Sequence, residues 1–374
     1  MRTRTAVLER MEAPKPYAES RPIEIAEVEL DPPGPGEIMV EIRAAGLCHS
    51  DLSVIDGSRP RVMPMALGHE AAGEVVELGA GITGFDLGDH VVLAFVPACG
   101  HCEPCRGGRT ALCEPGAAAN TAGTLLAGER RLHRDDGTEL NHHLGVSAFS
   151  DRVVVDAGSA VRVEADLPFD VAALFGCAVL TGVGAVVNSA GVRAGDSVAV
   201  FGLGCVGLCA LLGAVASGAR EVVAVDVIES KLELAAELGA TTTIAGGEKA
   251  VEAVREATGG GADHVIETAG SEVVLAEAYA ATRRGGTTVT VGLPHPSRML
   301  SISAAGLVAE ERTLKGSYLG SCVPARDIPH FIRLHRAGRL PVERLISDRI
   351  GLDELNEGFD RLASGEALRQ VVVL

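Results

Sequence analysis

Apolar and polar positions change rhythm partway along the chain. Up to about residue 175, short apolar runs such as Ile38 to Ile42, Ala71 to Leu78 and His90 to Phe95 are divided by Gly/Pro punctuation, notably Pro32-Pro33-Gly34-Pro35-Gly36 and Gly84 to Asp89. Many short strands between tight turns predict a barrel-like β domain. From about residue 178, strand-like runs (Ser197 to Phe201, Glu221 to Asp226, Thr241 to Ile244, Asp263 to Glu267, Thr287 to Val291) alternate with helical ones (Glu229 to Leu238, Glu248 to Ala257, Glu272 to Thr282). That alternation predicts a parallel, doubly wound sheet. The tail beyond about 320 is more polar and helical and ends on strand-like Val371 to Leu374. Gly116 to Gly128 reads as a small-residue loop and Glu129 to Leu144 as a charged, His-containing excursion. The fold class is therefore α/β plus β, with no internal repeat.

Composition narrows the partners. A chain of 374 residues with a 47% apolar composition is long enough for two cores. Its formal charge of −17 repels phosphate backbones and anionic membranes, and the absence of Trp leaves little for base stacking. No nucleic acid and no membrane partner is expected. Two uncharged stretches, Val171 to Val192 and Ser197 to Ala219, have membrane-helix length but are interrupted by Gly and small polar residues, so they read as core. With no signal peptide evident, a soluble, cytoplasmic protein is expected.

Nine cysteines is an odd number, and five of them lie between Cys48 and Cys113, which points to metal rather than disulfides. Cys99, Cys102, Cys105 and Cys113 follow C-x2-C-x2-C-x7-C, a spacing that wraps four thiolates around one ion. A closed four-sulfur shell has no place for substrate, so this zinc would be structural; an iron–sulfur cluster is the chemical competitor. A second, scattered set comprises Cys48, His69 and Cys177. Singly each is weak; together two Cys and one His make a mixed zinc site with one open vertex.

The nucleotide signal is firmer. Strand-like Ser197 to Phe201 runs into Gly202-Leu203-Gly204-Cys205-Val206-Gly207 and then a helical run, and Asp226 follows Gly207 by nineteen residues at the end of the next strand. This is the dinucleotide arrangement, in which an acid at that strand end binds ribose hydroxyls and repels a 2′-phosphate, favouring NAD over NADP.

Taken together, these residues resemble the zinc-dependent medium-chain alcohol dehydrogenase family. The similarity runs from Gly46-Leu47-Cys48-His49-Ser50-Asp51, through Gly68-His69-Glu70-Ala71-Ala72-Gly73 and Gly88-Asp89-His90-Val91, to Gly365-Glu366-Ala367-Leu368-Arg369. It implies a GroES-like catalytic domain (1–178 and 319–374) with a structural zinc lobe, a Rossmann domain (179–318), and an active site in the cleft. It also implies two zinc ions per chain, with Cys48, His69 and Cys177 as catalytic ligands and Glu70 a nearby carboxylate. Asp51 would orient His69, and Ser50 would touch the substrate oxygen. His49 and Arg369 would meet the pyrophosphate, joining Gly202, Gly204, Val206 and Gly207, while Asp226 and Lys231 would hold the ribose. Phe95, Leu144 and Leu293 would line the substrate pocket. The implied activity is NAD-linked, reversible hydride transfer on a primary, secondary or aryl alcohol, with an alcohol or aldehyde as small-molecule partner. A homodimer is expected from the long 116–144 excursion, with a tetramer as the alternative.

Two departures from the family pattern qualify the reading. Ser53 stands where relatives commonly end a proton relay in His, and a Ser hydroxyl does not titrate near neutral pH. Glu114-Pro115-Gly116 lacks the Arg by which formaldehyde dehydrogenases hold a glutathione adduct. A thiol-adduct-dependent formaldehyde dehydrogenase is the runner-up, and a zinc-lobe nucleic-acid-binding protein the alternative from another class.

Overall fold

The computed structural model describes all of residues 1–374, which divide into two compact units. The first comprises Met1–Cys177, Val323–Pro329 and Glu343–Leu374; the second Ala178–Cys322 and His330–Val342. The chain thus returns to the first unit at Val323 rather than 319. His330–Val342 joins the second unit because Phe331, Ile332, Leu340 and Val342, all buried, are apolar side chains that need a core.

In the first unit, strands Arg2–Leu8, Ile23–Leu30, Leu132–His133, Glu139–His142 and Met65–Ala66 close into a barrel. Beside it lies a seven-stranded sheet ordered Ala160–Arg162, His90–Leu93, Ala71–Leu78, Glu37–Gly46, Arg369–Val373, Ile346–Ile350, with Arg152–Asp156 also paired to Glu37–Gly46. Ile38, Val40, Leu47, Phe149 and Phe359 fill the core. Val371 pairs with Gly46, so the chain's last strand fixes the segment that carries Cys48.

Two features of this unit differ from the sequence reading. Residues Glu114–Ala122, within the expected loop, form a helix. Three successive alanines favour that state, Pro115 suits the first turn, and the Cys113 sulfur accepts from Gly116 N–H as cap. The helix stops at Gly123, whose φ of 69° lies in the left-handed region. The charged excursion is also structured: Leu132–His133 and Glu139–His142 are the two strands that complete the barrel. Arg131 reaches the almost wholly buried Glu37 at 2.9 Å, so part of the charge that made this stretch look like a solvent loop is neutralised within it.

The second unit holds a six-stranded parallel sheet ordered Thr242–Ala245, Glu221–Asp226, Ser197–Phe201, Ala262–Glu267, Thr282–Thr290, Thr313–Gly316. Ser197–Phe201 lies in the middle, buried along its whole length; Val198, Val200 and Phe201 each contribute about 1.5–3 kcal/mol by leaving water. Both uncharged stretches are core. The first is a bent succession of short helices and the second this strand followed by helix Cys205–Ala216. No single helix is long and apolar enough to cross a membrane.

His142, on the last barrel strand to be formed along the chain, is fully buried; its Nε2 accepts from Arg131 N–H at 3.1 Å, and Nδ1 lies 3.3 Å from Ser147 Oγ. Burial, aided by the charges of Arg130 and Arg131, pushes its pKa down to about 3. The unfolded chain therefore binds this proton below about pH 6.5 while the folded chain refuses it, so folding stability falls with pH by up to about 1.4 kcal/mol per unit across that window. His142→Gln keeps an acceptor for Arg131 N–H and does not titrate. Between pH 6.5 and 5.5, chemical denaturation of the wild type should lose about 1 kcal/mol more than that of the variant; equal losses would show that His142 does not set the acid limit.

Candidate metal and dinucleotide sites

Cys48 caps the N-terminus of helix His49–Ile55, His69 follows the short strand Met65–Ala66, and Cys177 directly follows the turn Leu174–Gly176. Folding brings their three ligand atoms within 4.8 Å of one another, all buried. The hydrogen bond from the Cys177 thiol, and after it the positive His69, hold Cys48 well below the usual thiol range against the cost of burial. Cys177, the donor in that bond and also buried, is pushed well above it. Without a cation, then, the pair retains one proton between two sulfurs. His69 Nε2 is buried at the same point, beside the Cys48 sulfur. Two sulfurs that need a positive charge to ionise together, with an imidazole nitrogen at the same point, fit a zinc ion.

The support around this set is built from Asp51, fully buried in the first turn of the same helix. Its Oδ2 lies 3.0 Å from His69 Nδ1, and its Oδ1 accepts from Gly68 N–H at 3.1 Å. Burial opposes an ionised Asp51, but the His69 charge and the close approach of His143 outweigh it and hold the carboxyl far below the usual range. Burial likewise disfavours a charged His69; Asp51 and the Cys48 thiolate overcome it and raise His69 well above the ordinary value. Gly68 has φ +96°, and a Cβ there would sit 2.4 Å from Phe149 N, so only glycine allows this approach.

Phe95 is buried edge-on to the His69 ring at 5.6 Å, and Leu144 is buried with φ 53°. Ser50 is half-buried and His49 exposed. Ser53 Oγ donates to the His49 carbonyl at 2.8 Å, back along its own helix. Arg369, expected at a phosphate, is instead 2% exposed: Nη1 lies 3.3 Å from Glu70 Oε1 and also donates to the Leu47 carbonyl. Leu293 belongs to the second unit and is exposed. The residue that sequence reasoning missed is His143, whose Nδ1 stands 2.9 Å from Asp51 Oδ1. The adjacent pair His142-His143 at the end of a short alternating run was the signal available.

Cys99, Cys102, Cys105 and Cys113 also converge, their sulfurs within 4.8 Å of one another. Backbone N–H groups aim at them: Cys102 at Cys99 Sγ (3.4 Å), and Cys99 and Gly116 at Cys113 Sγ (3.3 and 3.4 Å). Such bonds, the one from His101 N–H foremost, bring Cys99 down to about 7, whereas burial pushes Cys105 up to about 12. Four sulfurs of unequal protonation around one point fit a second ion and no substrate. The ring of His101, exposed, turns to the Cys99 carbonyl.

In the second unit the three glycines divide their work. Gly202 has φ +90°; a Cβ on Gly207 would lie 1.9 Å from the Gly202 carbonyl oxygen; a Cβ on Gly204 would meet nothing within 4 Å. The first makes the turn, the third lets helix and strand touch, and the second leaves open space before the N-terminus of Cys205–Ala216, where a pyrophosphate fits. Val206 is half-buried in the first turn of that helix. Asp226 Oδ2 accepts from Leu203 N–H at 2.5 Å and Oδ1 from Ile228 N–H at 3.0 Å, tying the second strand to the glycine turn. Thr268 Oγ1 donates to the Gly202 carbonyl at 2.7 Å from the other side. Lys231 is half-buried in helix Glu229–Glu237.

Residues 34–165 match the family described as alcohol dehydrogenase GroES-like domain, and 205–336 that described as zinc-binding dehydrogenase. Over the full length of both chains, the protein is 40% identical to putative alcohol dehydrogenase D of Mycobacterium tuberculosis. It is 39% identical to NDMA-dependent alcohol dehydrogenase of Amycolatopsis methanolica, covering 100% of this chain and 99% of that one. It is 36% identical to S-(hydroxymethyl)glutathione dehydrogenase of Paracoccus denitrificans, again over both chains in full. Among solved structures, an alcohol dehydrogenase zinc-binding domain protein from Burkholderia ambifaria (35% identity, TM-score 0.94) and benzyl alcohol dehydrogenase from Acinetobacter calcoaceticus (30%, 0.93) each align with 100% of this chain and 99% of theirs. Sequence, fold and ligand constellation therefore place this chain in the zinc-dependent medium-chain alcohol dehydrogenase family.

Proposed function

We propose that the protein is an NAD-linked alcohol dehydrogenase that passes hydride reversibly between an alcohol and nicotinamide. The observation that carries this reading is the convergence of Cys48, His69 and Cys177 on one buried point. A zinc ion held by these three residues would supply Lewis acidity, making a bound alcohol acidic enough to lose its proton near neutral pH. Asp51 keeps His69 in the tautomer with Nδ1–H, leaving Nε2 as the ligand atom. Ser50 is the hydroxyl assigned to relay the substrate's proton toward solvent, giving up its own proton as it accepts that one. Ser53 does not continue that route, because its hydroxyl is engaged by the His49 carbonyl. The glycine turn and Asp226 hold NAD in this reading, and the four-cysteine lobe holds a structural zinc.

An anionic thiol adduct is the less favoured substrate, since helix Glu114–Ala122 carries no basic side chain. Self-association as a dimer is supported by the second unit, whose last strand, Thr313–Gly316, has one free edge. Nearby in sequence, Met299 and Val308 are about four-fifths exposed.

Cys48→Ala or His69→Ala should lower turnover by about a thousandfold or more, the equivalent of ~4 kcal/mol of charge stabilisation, while NAD binding by calorimetry persists. Undiminished turnover in either variant refutes the metal assignment. Alcohol oxidation should reduce added NAD, followed at the reduced-nicotinamide absorbance band. Turnover only when NDMA is supplied would remove the NAD-linked reading and leave the alcohol dehydrogenase one. Asp226→Gly should weaken NAD by roughly 10- to 100-fold, the worth of a charged hydrogen bond, and narrow its preference over NADP. An unchanged NAD/NADP ratio of kcat/KM excludes Asp226 from ribose recognition.

A further inference from the structure

Beyond the metal ligands and their Asp51 partner, one buried titratable group has no part in the reading above. His143 is 1% exposed, and three of its neighbours bear on the metal point. Its Nδ1 lies 2.9 Å from Asp51 Oδ1, the same carboxylate whose other oxygen faces His69. Its ring meets the His69 ring edge-on at 5.4 Å, on an imidazole that Phe95 also packs edge-on. Its backbone N–H donates to the Ala66 carbonyl at 3.2 Å, within the strand that delivers His69.

The loop that carries it is held in an unfavourable backbone conformation. Leu144 and Ser147 both have positive φ, 53° and 54°, which side-chain-bearing residues seldom adopt. The loop is laced to the same segment by Ala148 N–H to the Gly68 carbonyl and Phe149 N–H to the Leu67 carbonyl, both 3.1 Å. Ser147 Oγ accepts from His143 N–H at 3.1 Å. The backbone is thus bent so that an imidazole N–H reaches a carboxylate already serving another imidazole.

We propose that His143 is a positioning residue for the catalytic metal site, acting through Asp51. A wholly buried carboxylate is costly unless its oxygens are matched by donors. Oδ1 accepts from Gly68 N–H and has His143 Nδ1 at 2.9 Å; Oδ2 has His69 Nδ1 at 3.0 Å. Losing His143 leaves Oδ1 with one donor and frees the carboxylate to rotate, and any rotation that takes Oδ2 from His69 releases the His69 ring. The metal then loses a fixed nitrogen.

The inference rests on the zinc reading of Cys48, His69 and Cys177, and zinc retention separates the two. The four-cysteine lobe serves as internal control in the same molecule. Wild-type, His143→Leu, His143→Asn and His143→Gln proteins, purified with zinc, are challenged with a chelator, and zinc release is followed with a colorimetric indicator. Asn places an N–H donor where His has Nδ1; Gln places its amide near the Nε2 position. One zinc per chain should leave His143→Leu about tenfold faster than wild type, the lower end of what a lost partner of a metal-bound His costs. The slower zinc should be unchanged. Asn should restore retention to within about twofold, and Gln should behave as Leu. Equal retention in Leu and wild type, loss of both zincs together, or an Asn variant no better than Leu overturns the proposal. A wild-type chain with zinc at the four-cysteine lobe alone sinks the underlying reading, and this one with it.

Discussion

Two cysteine sulfurs and an imidazole nitrogen are held at one buried point, where the two sulfurs cannot both ionise without a cation. Cys48 tends to the thiolate because Cys177 donates to it and His69 stands beside it; Cys177 keeps its proton for the same reason. Repulsion between two thiolates in a medium of low dielectric is severe, so the second deprotonation waits for a cation. The fold brings the three together from a helix cap, the end of a short strand and a turn, which are separated by up to 129 residues of chain (177 − 48). Two pairings within the first unit hold the ligand-bearing segments in place. The last strand pairs against Gly46, and the 143–149 loop pairs against 66–68.

Charge is also managed one layer out, where three charged side chains are sealed from solvent. Asp51 faces the imidazole side of the site, and the Glu70–Arg369 pair lies behind the thiolates. Arg369 draws both sulfurs toward the thiolate form, while Glu70 opposes it at Cys177. A lone buried Arg here would favour anionic sulfur without limit, and a lone Glu would oppose it; paired, they leave the decision to the metal. Gly46 makes the pair possible, since a Cβ there would come within 2.3 Å of Glu70 Oε1.

How far the sequence foretold this depends on the range of the interactions involved. Strand Ser197–Phe201, the glycine turn and helix Cys205–Ala216 were legible because a periodic run, a turn and a helix start are local properties. The four-cysteine lobe was legible for the same reason, all its sulfurs lying within fifteen residues (99 to 113). Helix Glu114–Ala122 was hidden because a run of Ala and Gly reads equally as loop, and the sulfur cap that starts it belongs to no common capping residue. The strands Leu132–His133 and Glu139–His142 were hidden because two- and four-residue strands carry too little alternation to register. Spacing alone left Cys48, His69 and Cys177 as scattered weak signals, and only the resemblance joined them.

His143 and Arg369 mark the limit in opposite ways. Arg369 carries a role by family likeness, yet here its guanidinium lies 2% exposed against Glu70 and a carbonyl. Both contacts are made by Nη1, and the charge draws the Cys48 and Cys177 sulfurs toward the thiolate form. His143 has no role by likeness, and its significance comes from a contact between residues 51 and 143 that no local pattern encodes. In both cases function follows from which charge is sealed next to which, a property of the folded core and not of the motif.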